Sequence, residues 1–556
     1  KEAPIAEPCA VALHAVELGE KEISKPIKDS KALLIGAGAI GLLCGLILSK
    51  VKNCKDIVIV DPNDKRLKES LKYLDADGLK PDSKNIFSDH FDVIVKLVGT
   101  WGLCAIFLEH DVMVCARNGS PLIIGQGDGE TFVSSDPHAL SSHTQSVVFM
   151  EDGDIATLTH ENITMSNIHG HSFDTDVTIL EDEWEEAVLG DFEHYMLKEI
   201  YEQPDALRQC INGRFDRVRG NGRLGGLNMT PLELSKLPHV RLLGCGTANH
   251  AAEIGGFLIE SLARIPSVAH ISSEFRTNEP VINPNALHFA VSQSGETADT
   301  LSAVKEILLK GGKVHGVVNV VGSSIARLCG QGVYIHSGPE QAVASTKAFS
   351  NMVTALTIFA IQVGRSRTLS KEKGKHIIDN LQQLPHLIEE YLDNQGPIME
   401  AVDLVKDAKC VLFLGRGISA PVAKEGALKL MEVAYIPCLA YPAGEMKHGP
   451  IALIEENLPV IMFLISDGLE DKSISNLQEA VSRGARTILI GDRKSIKKAK
   501  FVNYSIEIPE FEKKFASTFS PILMAIPAQL LAYHVARERG TDVDQPRNLA
   551  KSVTVE

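Results

Sequence analysis

The chain has 556 residues, enough for three or four domains, and its 44% hydrophobic and 23% charged residues are typical of a soluble globular protein. A formal net charge of −15 disfavours nucleic acid or an anionic membrane surface as the main partner. Its apolar runs are shorter than the roughly 18 residues that a membrane span needs, so we expect no membrane partner either.

The cysteines indicate the compartment. There are ten, scattered along the chain without a CxxC pair or the Cys/His spacing of a zinc site. We therefore expect no metal centre, no disulfide framework and a reducing, cytoplasmic setting. The first residues, KEAPIAEPCA, lack a signal-peptide pattern and do not begin with methionine, so we expect a missing or processed start.

A glycine-rich turn near the N-terminus has the pattern of a dinucleotide-binding site. Residues 31–35 (KALLI) have a strand pattern, and Gly36, Gly38 and Gly41 follow before an apolar helical stretch. A second strand-like run ends at Asp61, twenty residues after Gly41. Such glycines allow a pyrophosphate to approach the backbone and such an acid binds ribose hydroxyls, so the pattern predicts an NAD site at these four residues.

Residues 1–97 resemble the nucleotide-binding domain of zinc-dependent medium-chain alcohol dehydrogenases. The resemblance rests on this fingerprint and on the preceding stretch PIAEPCAVALHAV. It implies a partial doubly wound sheet, and it ends near residue 97 without that family's catalytic domain or zinc ligands. We therefore expect weak NAD binding or none, no required cofactor, and oxidoreductase activity only as a remote alternative.

Residues 98–188 have the pattern of an antiparallel β layer. Strand-like runs at 99–107 (GTWGLCAIF), 112–125 and 146–158 are separated by Gly, Asn and Asp turns. A helical stretch at 194–207, broken by Pro204, follows them. This order resembles the second half of the glutaminase domain, an N-terminal-nucleophile hydrolase, of glutamine:fructose-6-phosphate aminotransferases.

That resemblance bears on the use of glutamine. The hydrolase family requires a cysteine at the first residue of the mature chain, because its free α-amine serves as the base. This chain begins at Lys1, and the dehydrogenase-like segment stands where the first half of the domain belongs. Cys104 and Cys115 lie inside strand-like runs and are expected to be core residues. We therefore expect little or no glutamine hydrolysis.

The C-terminal half contains a repeat. Gly-rich strand-to-helix turns at 242–247 (LLGCGT) and 413–418 (FLGRGI) are each followed by another strand-like run. Cys245 and Arg416 are 171 residues apart, and Ser292 and Ser466 are 174 apart, so a unit of this length is duplicated. Alternating strands and helices predict a doubly wound parallel sheet in each copy, with ligands beyond the carboxyl ends of the strands.

The first copy has the composition of an anion site. The turn Ser292, Gln293, Ser294, Gly295, Glu296, Thr297 offers hydroxyls, an amide and backbone N–H groups where a helix begins, which suits a phosphate. The stretch VASTK adds Ser345 and a cation, Lys347. Ordinary helix capping by Ser and Thr would explain each turn singly, but it explains their recurrence within one copy less well.

The second copy contains a group of ionisable residues. Glu425, Lys429 and Glu432 are spaced so that they project from one helical face, and Lys447 and His448 follow in a loop broken by Pro and Gly. Such a set could transfer protons on a small polar substrate. Taken alone, the stretch could equally be a solvated helix with an ordinary ion pair.

Residues 190–556 closely resemble the two sugar-isomerase (SIS) subdomains of the same aminotransferase family. The matching motifs occur in order: GCGT, SSEFR, SQSGETADTL, GSSIAR, VASTKAF, EGALKL, YPAGEMKHGP and the tail DQPRNLAKSVTVE. The resemblance implies SIS subdomains at 189–372 and 373–540 and a tail, 541–556, that closes over the sugar.

The resemblance also implies roles for individual residues. Fructose 6-phosphate would be held by a set of polar residues together with the tail: Thr247, Ser292, Gln293, Ser294, Thr297, Ser345, Lys347 and Ala550. Glu432 would move the proton between C1 and C2, supported by Glu425 and Lys429. Lys551 would form an imine or bind at the carbonyl. His448 would open the ring from the neighbouring subunit, which implies a homodimer.

We therefore expect a chain that makes glucosamine 6-phosphate from fructose 6-phosphate and ammonia, or that only interconverts hexose 6-phosphates. The sequence departs from the family at Ala248, where a serine is common, and at Met431, where a lysine is usual. A non-catalytic sugar-phosphate-binding regulator with the same fold is the main alternative. The proton-transfer residues disfavour it, because a sensor needs only the phosphate site.

Overall fold

The computed structural model describes residues 26–35, 44–60, 67–68, 71–74, 76–79, 93–96, 101–107, 112–118, 121–135, 140, 143–160, 162–167, 171–179, 189–394, 398–510 and 515–554. The chain divides into two compact units, Lys1–Thr100 and Trp101–Glu556. The residues predicted to bind NAD, Gly36, Gly38, Gly41 and Asp61, lie outside the described residues.

The first unit contains a parallel sheet in the order β3-β2-β1-β4. Its strands are β1 (Lys31–Ile35), β2 (Asp56–Val60), β3 (Asp77–Leu79) and β4 (Val93–Lys96). Buried aliphatic residues such as Leu34 and Ile59 pack beneath it, because a parallel sheet is covered on its faces. The order is that of the first strands of a doubly wound sheet, so the predicted partial sheet is confirmed.

The second unit begins with two antiparallel sheets, in the orders β12-β11-β10-β6-β5 and β13-β9-β7-β8. Their strands are β5 (Trp101–Phe107), β6 (Val112–Asn118), β7 (Ile123–Gln126), β8 (Thr131–Ser134), β9 (Ser146–Phe149), β10 (Asp154–Leu158), β11 (Ile163–Asn167), β12 (Ser172–Phe173) and β13 (Thr178–Ile179). The predicted antiparallel β layer is thus confirmed and consists of two sheets.

One prediction about this layer is half wrong. Cys115 on β6 is buried, as expected of a core residue, but Cys104 on β5 is exposed. The two residues are directly opposite each other across the strand pair, with their sulfurs 3.6 Å apart. The two side chains share one face of the sheet, but β5 is the last strand of its sheet whereas β6 lies between β5 and β10, so the residue on the edge strand is the exposed one.

Two helices connect the β layer to the first repeat. Helix α1 (Tyr195–Tyr201) ends before Glu202, and α2 (Gln203–Ile211) begins directly afterwards with Pro204 in its first turn. Proline is tolerated there because the first N–H groups of a helix have no intrahelical acceptor. The predicted break is therefore confirmed. A short hairpin of β14 (Phe215–Asp216) and β15 (Asn221–Gly222) and the helix α3 (Pro231–Ser235) follow.

The first repeat is an all-parallel sheet in the order β17-β16-β18-β19-β20. Its elements are β16 (Val240–Gly244), α4 (Thr247–Ala263), β17 (Ser267–Ile271), α5 (Ser272–Thr277), β18 (Leu287–Ser292), α6 (Ala298–Leu309), β19 (Lys313–Val318), α7 (Ser324–Cys329), β20 (Gly332–Tyr334) and α8 (Lys347–Arg365). Every residue of β18 is buried, as expected for a central parallel strand.

The second repeat has the same order, β22-β21-β23-β24-β25. Its elements are α9 (Lys371–Asp393), α10 (Ile398–Val405), β21 (Val411–Gly415), α11 (Ser419–Ala434), β22 (Cys438–Pro442), β23 (Pro459–Leu464), α12 (Glu470–Val481), β24 (Arg486–Gly491), α13 (Arg493–Lys498), β25 (Tyr504–Glu507) and α14 (Ala516–Arg539). The predicted tandem of doubly wound parallel sheets is confirmed.

Helix α14 is long and apolar enough to cross a membrane by those criteria alone. Among the described residues, Ser517–Arg539 is the single stretch that meets them, and 94% of its most apolar window is buried inside the protein. It belongs to the same apolar core as α8 and α11, which both repeats share. This burial is that of a core helix.

Candidate active site

The strand order places the candidate residues of the first repeat together. The sheet changes direction between β16 and β18, and in sheets of this kind the crevice at that switch point, beyond the carboxyl ends of the strands, binds ligands. The chain leaves β16 into Thr247 at the start of α4, and it leaves β18 into the turn that begins at Ser292. The predicted anion residues therefore flank one crevice.

The turn after β18 is held by its own hydroxyls. The Ser292 hydroxyl lies 3.0 Å from that of Thr297 and accepts a hydrogen bond from the Gly295 N–H at 3.0 Å. The Ser294 hydroxyl accepts one from the Glu296 N–H. Gly295 has φ of +66°, and a Cβ there would meet the Ser323 hydroxyl at 2.0 Å, so glycine is required. The turn leads into the N-terminus of α6, where an anion is stabilised by the helix dipole.

In the second repeat, the turn that corresponds to the Ser292 turn binds a carboxylate of the chain itself. Ser466 follows β23 as Ser292 ends β18, but a carboxylate of the chain occupies its donors. Asp492 accepts hydrogen bonds from the Ser466 N–H at 2.6 Å and from the Ser466 hydroxyl at 2.9 Å. The same carboxylate caps α13 through the Ser495 N–H.

Helix α11 carries the predicted proton-transfer residues on one face. The Lys429 ammonium lies 2.7 Å from Glu432 and 3.5 Å from Glu425. Glu425 and Lys429 are each 1% exposed, whereas Glu432 is 20% exposed. The prediction that the three project from one helical face is confirmed, and the alternative of a solvated helix is wrong.

Residues of the first repeat complete this group. The Thr247 hydroxyl donates to Glu425 at 3.0 Å and accepts from the Lys429 ammonium at 3.0 Å. Nδ1 of His250 donates to the second oxygen of Glu425 at 2.7 Å. The group of Glu425, Lys429, Glu432, Thr247 and His250, here called the carboxylate–lysine cluster, thus joins α4 and α11.

The cluster keeps its charges although it is buried. Burial alone would lower the pKa of Lys429, but the charges of Glu432 and Glu425 outweigh it and raise that pKa. Burial opposes ionisation of Glu425, yet the charge of Lys429 and the hydrogen bond from His250 lower the pKa of Glu425. The buried pair of Glu425 and Lys429 therefore remains charged, because each group stabilises the ionised form of the other.

The tail closes on the first repeat. The Ser552 hydroxyl donates to Ser294 at 2.9 Å, and the carbonyl of Val553 accepts from the Ala298 N–H at 3.0 Å. The Lys551 ammonium lies 2.8 Å from Glu340 and donates to the Ala342 carbonyl at 2.7 Å. The neighbouring Ala550 is exposed.

Two of the predicted sugar ligands have partners within the chain. The Ser345 hydroxyl donates to Glu340 at 2.9 Å, and the Lys347 ammonium lies 2.7 Å from Glu202. Lys347 is only 5% exposed. It is therefore a cation held by the connecting helices, and its predicted role at the sugar stays a prediction.

His448 lies apart from the cluster. It is exposed at the end of the 3-10 turn Ala443–His448. In the described part of this chain, no hydrogen bond or ion pair joins it to the carboxylate–lysine cluster.

A cavity of about 360 Å³ lies beside the tail. Gln293, Ser294 and Lys551 line one side of it, and Ile123 and Phe149 of the β layer line the other. The structure thus brings the phosphate turn and the tail lysine to one space.

Comparisons with known proteins agree with this architecture. A family model described as the SIS domain matches residues 233–362 and 404–539. The glutamine–fructose-6-phosphate aminotransferase (isomerizing) of Thermus thermophilus is 42% identical over 462 residues, which cover 82% of this chain and 75% of that protein. The protein of the same name from Chlorobaculum tepidum is 44% identical over 462 residues, covering 82% and 74%.

This chain belongs to the glutamine–fructose-6-phosphate aminotransferase (isomerizing) family. The family resemblance inferred from the motifs is confirmed. A solved C-terminal domain of glucosamine-fructose-6-phosphate aminotransferase from Francisella tularensis is 36% identical, covers 65% of this chain and 100% of that domain, and has a TM-score of 0.59. The tagatose-6-phosphate ketose/aldose isomerase of Escherichia coli, 20% identical with a TM-score of 0.53, shows the same fold. The dehydrogenase resemblance stays a prediction.

Sequence reasoning missed several residues of the aminotransferase-family site. His250 follows Thr247 by three positions on α4, and that helical spacing could have indicated a shared face. Glu340 precedes the start of α8 by seven residues, which is too far for the N-cap or the first turn, so no capping rule identifies it. Glu199 lies in an ordinary amphipathic helix, and nothing in its local sequence indicates a buried role.

Proposed function

We propose that this chain converts fructose 6-phosphate to glucosamine 6-phosphate, the reaction that the names of its relatives describe. The observation that carries the proposal is the buried carboxylate–lysine cluster, which Thr247 joins to the repeat that also supplies the phosphate turn. A sugar-phosphate sensor needs the turn alone. An aldose–ketose shift also needs a carboxylate that reaches two adjacent carbons.

In this proposal, the phosphate binds at the turn of Ser292, Gln293, Ser294 and Thr297, at the N-terminus of α6. Gln293 and Ser294 line the cavity, whereas Ser292 is buried and holds the turn through its contacts with Gly295 and Thr297. The buried N–H groups and the dipole of α6 favour a dianion there. Thr247, Ser345 and Ala550 are the further sugar contacts that family membership suggests.

Glu432 acts as the base between C1 and C2. It is the more exposed of the two carboxylates of the cluster, and the Lys429 ammonium lies 2.7 Å from it. Glu425 is buried behind Lys429 and holds that lysine in place through Thr247 and His250. Lys551, at the cavity, acts at the sugar carbonyl.

His448 supports a homodimer in which the partner subunit completes the site. Its side chain is exposed at the end of a turn, so a second copy could present it to the sugar. Ring opening needs an acid at the ring oxygen, and an imidazole suits that role near neutral pH.

Ammonia is the nitrogen donor in this proposal. Among the described residues of the β layer, the thiols are Cys104 and Cys115, which face each other on neighbouring strands and, as internal residues, carry no α-amine of their own. The described cysteines are free thiols, which supports a reducing, cytoplasmic setting.

The test measures glucosamine 6-phosphate formed from fructose 6-phosphate, with ammonium chloride and with glutamine in parallel reactions. We expect product with ammonium and little or none with glutamine. Product with glutamine alone would contradict the assigned donor. No product in either reaction, with sugar-phosphate binding retained, would favour the regulator instead.

A further inference from the structure

Glu340 is a buried carboxylate that accepts four hydrogen bonds, two at each oxygen. One oxygen accepts hydrogen bonds from the backbone N–H groups of Thr346, at 2.8 Å, and Ala348, at 3.2 Å, where α8 begins. The other oxygen accepts from the Ser345 hydroxyl at 2.9 Å and from the Lys551 ammonium at 2.8 Å. Its side chain is fully buried, whereas that of Lys551 is 25% exposed.

Glu340 is an anion under ordinary conditions. Burial opposes its ionisation, but the charge of Lys551 and the hydrogen bonds from Lys551 and the two backbone amides lower the pKa of Glu340 to about 2. A full charge held in a fixed place by the backbone is a suitable anchor for a flexible lysine, because a charge-assisted hydrogen bond is stronger than a neutral one.

A second carboxyl, Glu199 on α1, lies behind the same loop. One of its oxygens accepts hydrogen bonds from the backbone N–H groups of Gln341 and Ala342, while the other is buried without a partner. Burial, and next the charge of Glu340, raise the pKa of Glu199 to about 8. The charges of Lys551 and Lys347 act on Glu199 in the opposite sense but do not restore an ordinary pKa.

Other contacts hold the rest of the tail. Asp544 accepts hydrogen bonds from the Tyr195 and Met196 N–H groups at the start of α1, and its carbonyl accepts from the Val343 N–H. Ser552 and Val553 are held by the phosphate turn and α6. Among the described side chains, Glu340 is the carboxylate that reaches the Lys551 ammonium, so without that carboxylate the tail can remain docked while the ammonium keeps its bond to the Ala342 carbonyl.

We propose that Glu340 is the positioning residue for Lys551, holding its amine at the cavity where the sugar carbonyl would lie. The assignment rests on the proposed function, since Lys551 matters there as the group that acts at the carbonyl. Glu340 also accepts from Ser345, a predicted sugar contact. One carboxylate thus connects the tail lysine to the start of α8 and to the sugar site.

The variant that tests this is Glu340→Gln, because an amide can still accept from the Thr346 and Ala348 N–H groups while its NH₂ faces the Lys551 ammonium without attraction. Glu199→Gln is the matched control. This variant also replaces a buried carboxyl by an amide, and its amide oxygen can still accept from the Gln341 and Ala342 N–H groups. The Lys551 ammonium keeps its contact with Glu340 in this variant.

The first measurement needs no sugar. Wild type and both variants are treated briefly with acetic anhydride, and acetylation of Lys551 is measured by peptide mass spectrometry relative to the exposed Lys500. We expect about a tenfold faster reaction of Lys551 in Glu340→Gln, from the loss of a charge-assisted hydrogen bond, and a change below about twofold in Glu199→Gln. Equal rates in wild type and Glu340→Gln, or the same increase in both variants, would overturn the proposal.

The second measurement is steady-state turnover of fructose 6-phosphate. In Glu340→Gln we expect kcat to fall by about ten- to a hundredfold while KM stays within about threefold, because the phosphate turn is untouched. A loss in KM with unchanged kcat would contradict positioning of Lys551. If wild type makes no product, the proposed function fails, while the acetylation rates still decide whether Glu340 holds Lys551.

Discussion

The roles within the carboxylate–lysine cluster are decided by burial rather than by residue type. Glu425 and Glu432 are both carboxylates on α11 and both contact Lys429. Glu425 is enclosed by Thr247 and His250 of the other repeat, whereas Glu432 is partly exposed. The spacing of these residues in the sequence predicts their shared face, but it does not distinguish the buried carboxylate from the reactive one.

Glu432→Gln should abolish turnover and leave sugar-phosphate binding intact. The change removes the base, which is worth about a hundredfold or more in rate, and it does not touch the Ser292 turn. Binding of fructose 6-phosphate by calorimetry and product formation are measured on the same sample. Glu390→Gln, an exposed change on α9, is the control and should match wild type. Retained turnover in Glu432→Gln would exclude Glu432 as the base.

At the scale of elements, the strand pair β5–β6 shows how pairing changes thiol chemistry. The Cys115 thiol donates to the Cys104 sulfur across the pair, and this hydrogen bond lowers the pKa of Cys104 to about 7. The same contact, followed by burial, raises the pKa of Cys115. Neighbouring strands therefore make one exposed thiol reactive and one buried thiol inert.

Cys115→Ala should slow alkylation of Cys104 at pH 7 by about tenfold, because the thiolate loses the hydrogen bond that stabilises it. The rate of iodoacetamide labelling of Cys104 is followed by peptide mass spectrometry. Cys410, whose pKa is raised chiefly by burial, is the internal reference and should not change. An unchanged rate at Cys104 would show that the sulfur–sulfur contact is not made in solution.

At the scale of the whole molecule, buried carboxyls make stability depend on pH. The pKa of Glu199 is raised from 4.5 to about 8, so the folded protein holds a proton there that the unfolded chain has lost. Its contribution to stability is full below about pH 4.5 and is lost as the pH rises through about 8. Glu340 acts in the other direction and loses its contribution only as the pH falls toward about 2.

Glu199→Gln should therefore gain stability relative to wild type as the pH rises. The difference in melting temperature between the two proteins should grow from about pH 4.5 and level off above about pH 8. Taking the difference cancels other groups, such as the buried His288 and His315, whose pKa values are lowered to about 4. A difference that is flat across this range would show that Glu199 titrates normally in the folded protein.

The sequence predicts the fold and one helical face of the candidate site, but it does not predict the long-range contacts of that site. Strand-to-helix turns and the helical spacing from Glu425 to Glu432 are local patterns, so both the tandem sheets and one face of the cluster follow from them. The contacts of Glu340 with Lys551 and of His250 with Glu425 join residues more than 170 positions apart. Such contacts arise only when the repeats and the tail pack together, and no local pattern specifies them.

The filled turn at Ser466 has a consequence for the history and the stoichiometry of the chain. A duplicated unit could in principle offer one sugar-phosphate site in each copy, but the Asp492 carboxylate occupies the second copy's donors as an internal substitute for a ligand. The first copy has kept the anion turn, and the second contributes the charged helix. Duplication has therefore produced two specialised halves, and each chain should take up a single sugar phosphate rather than two.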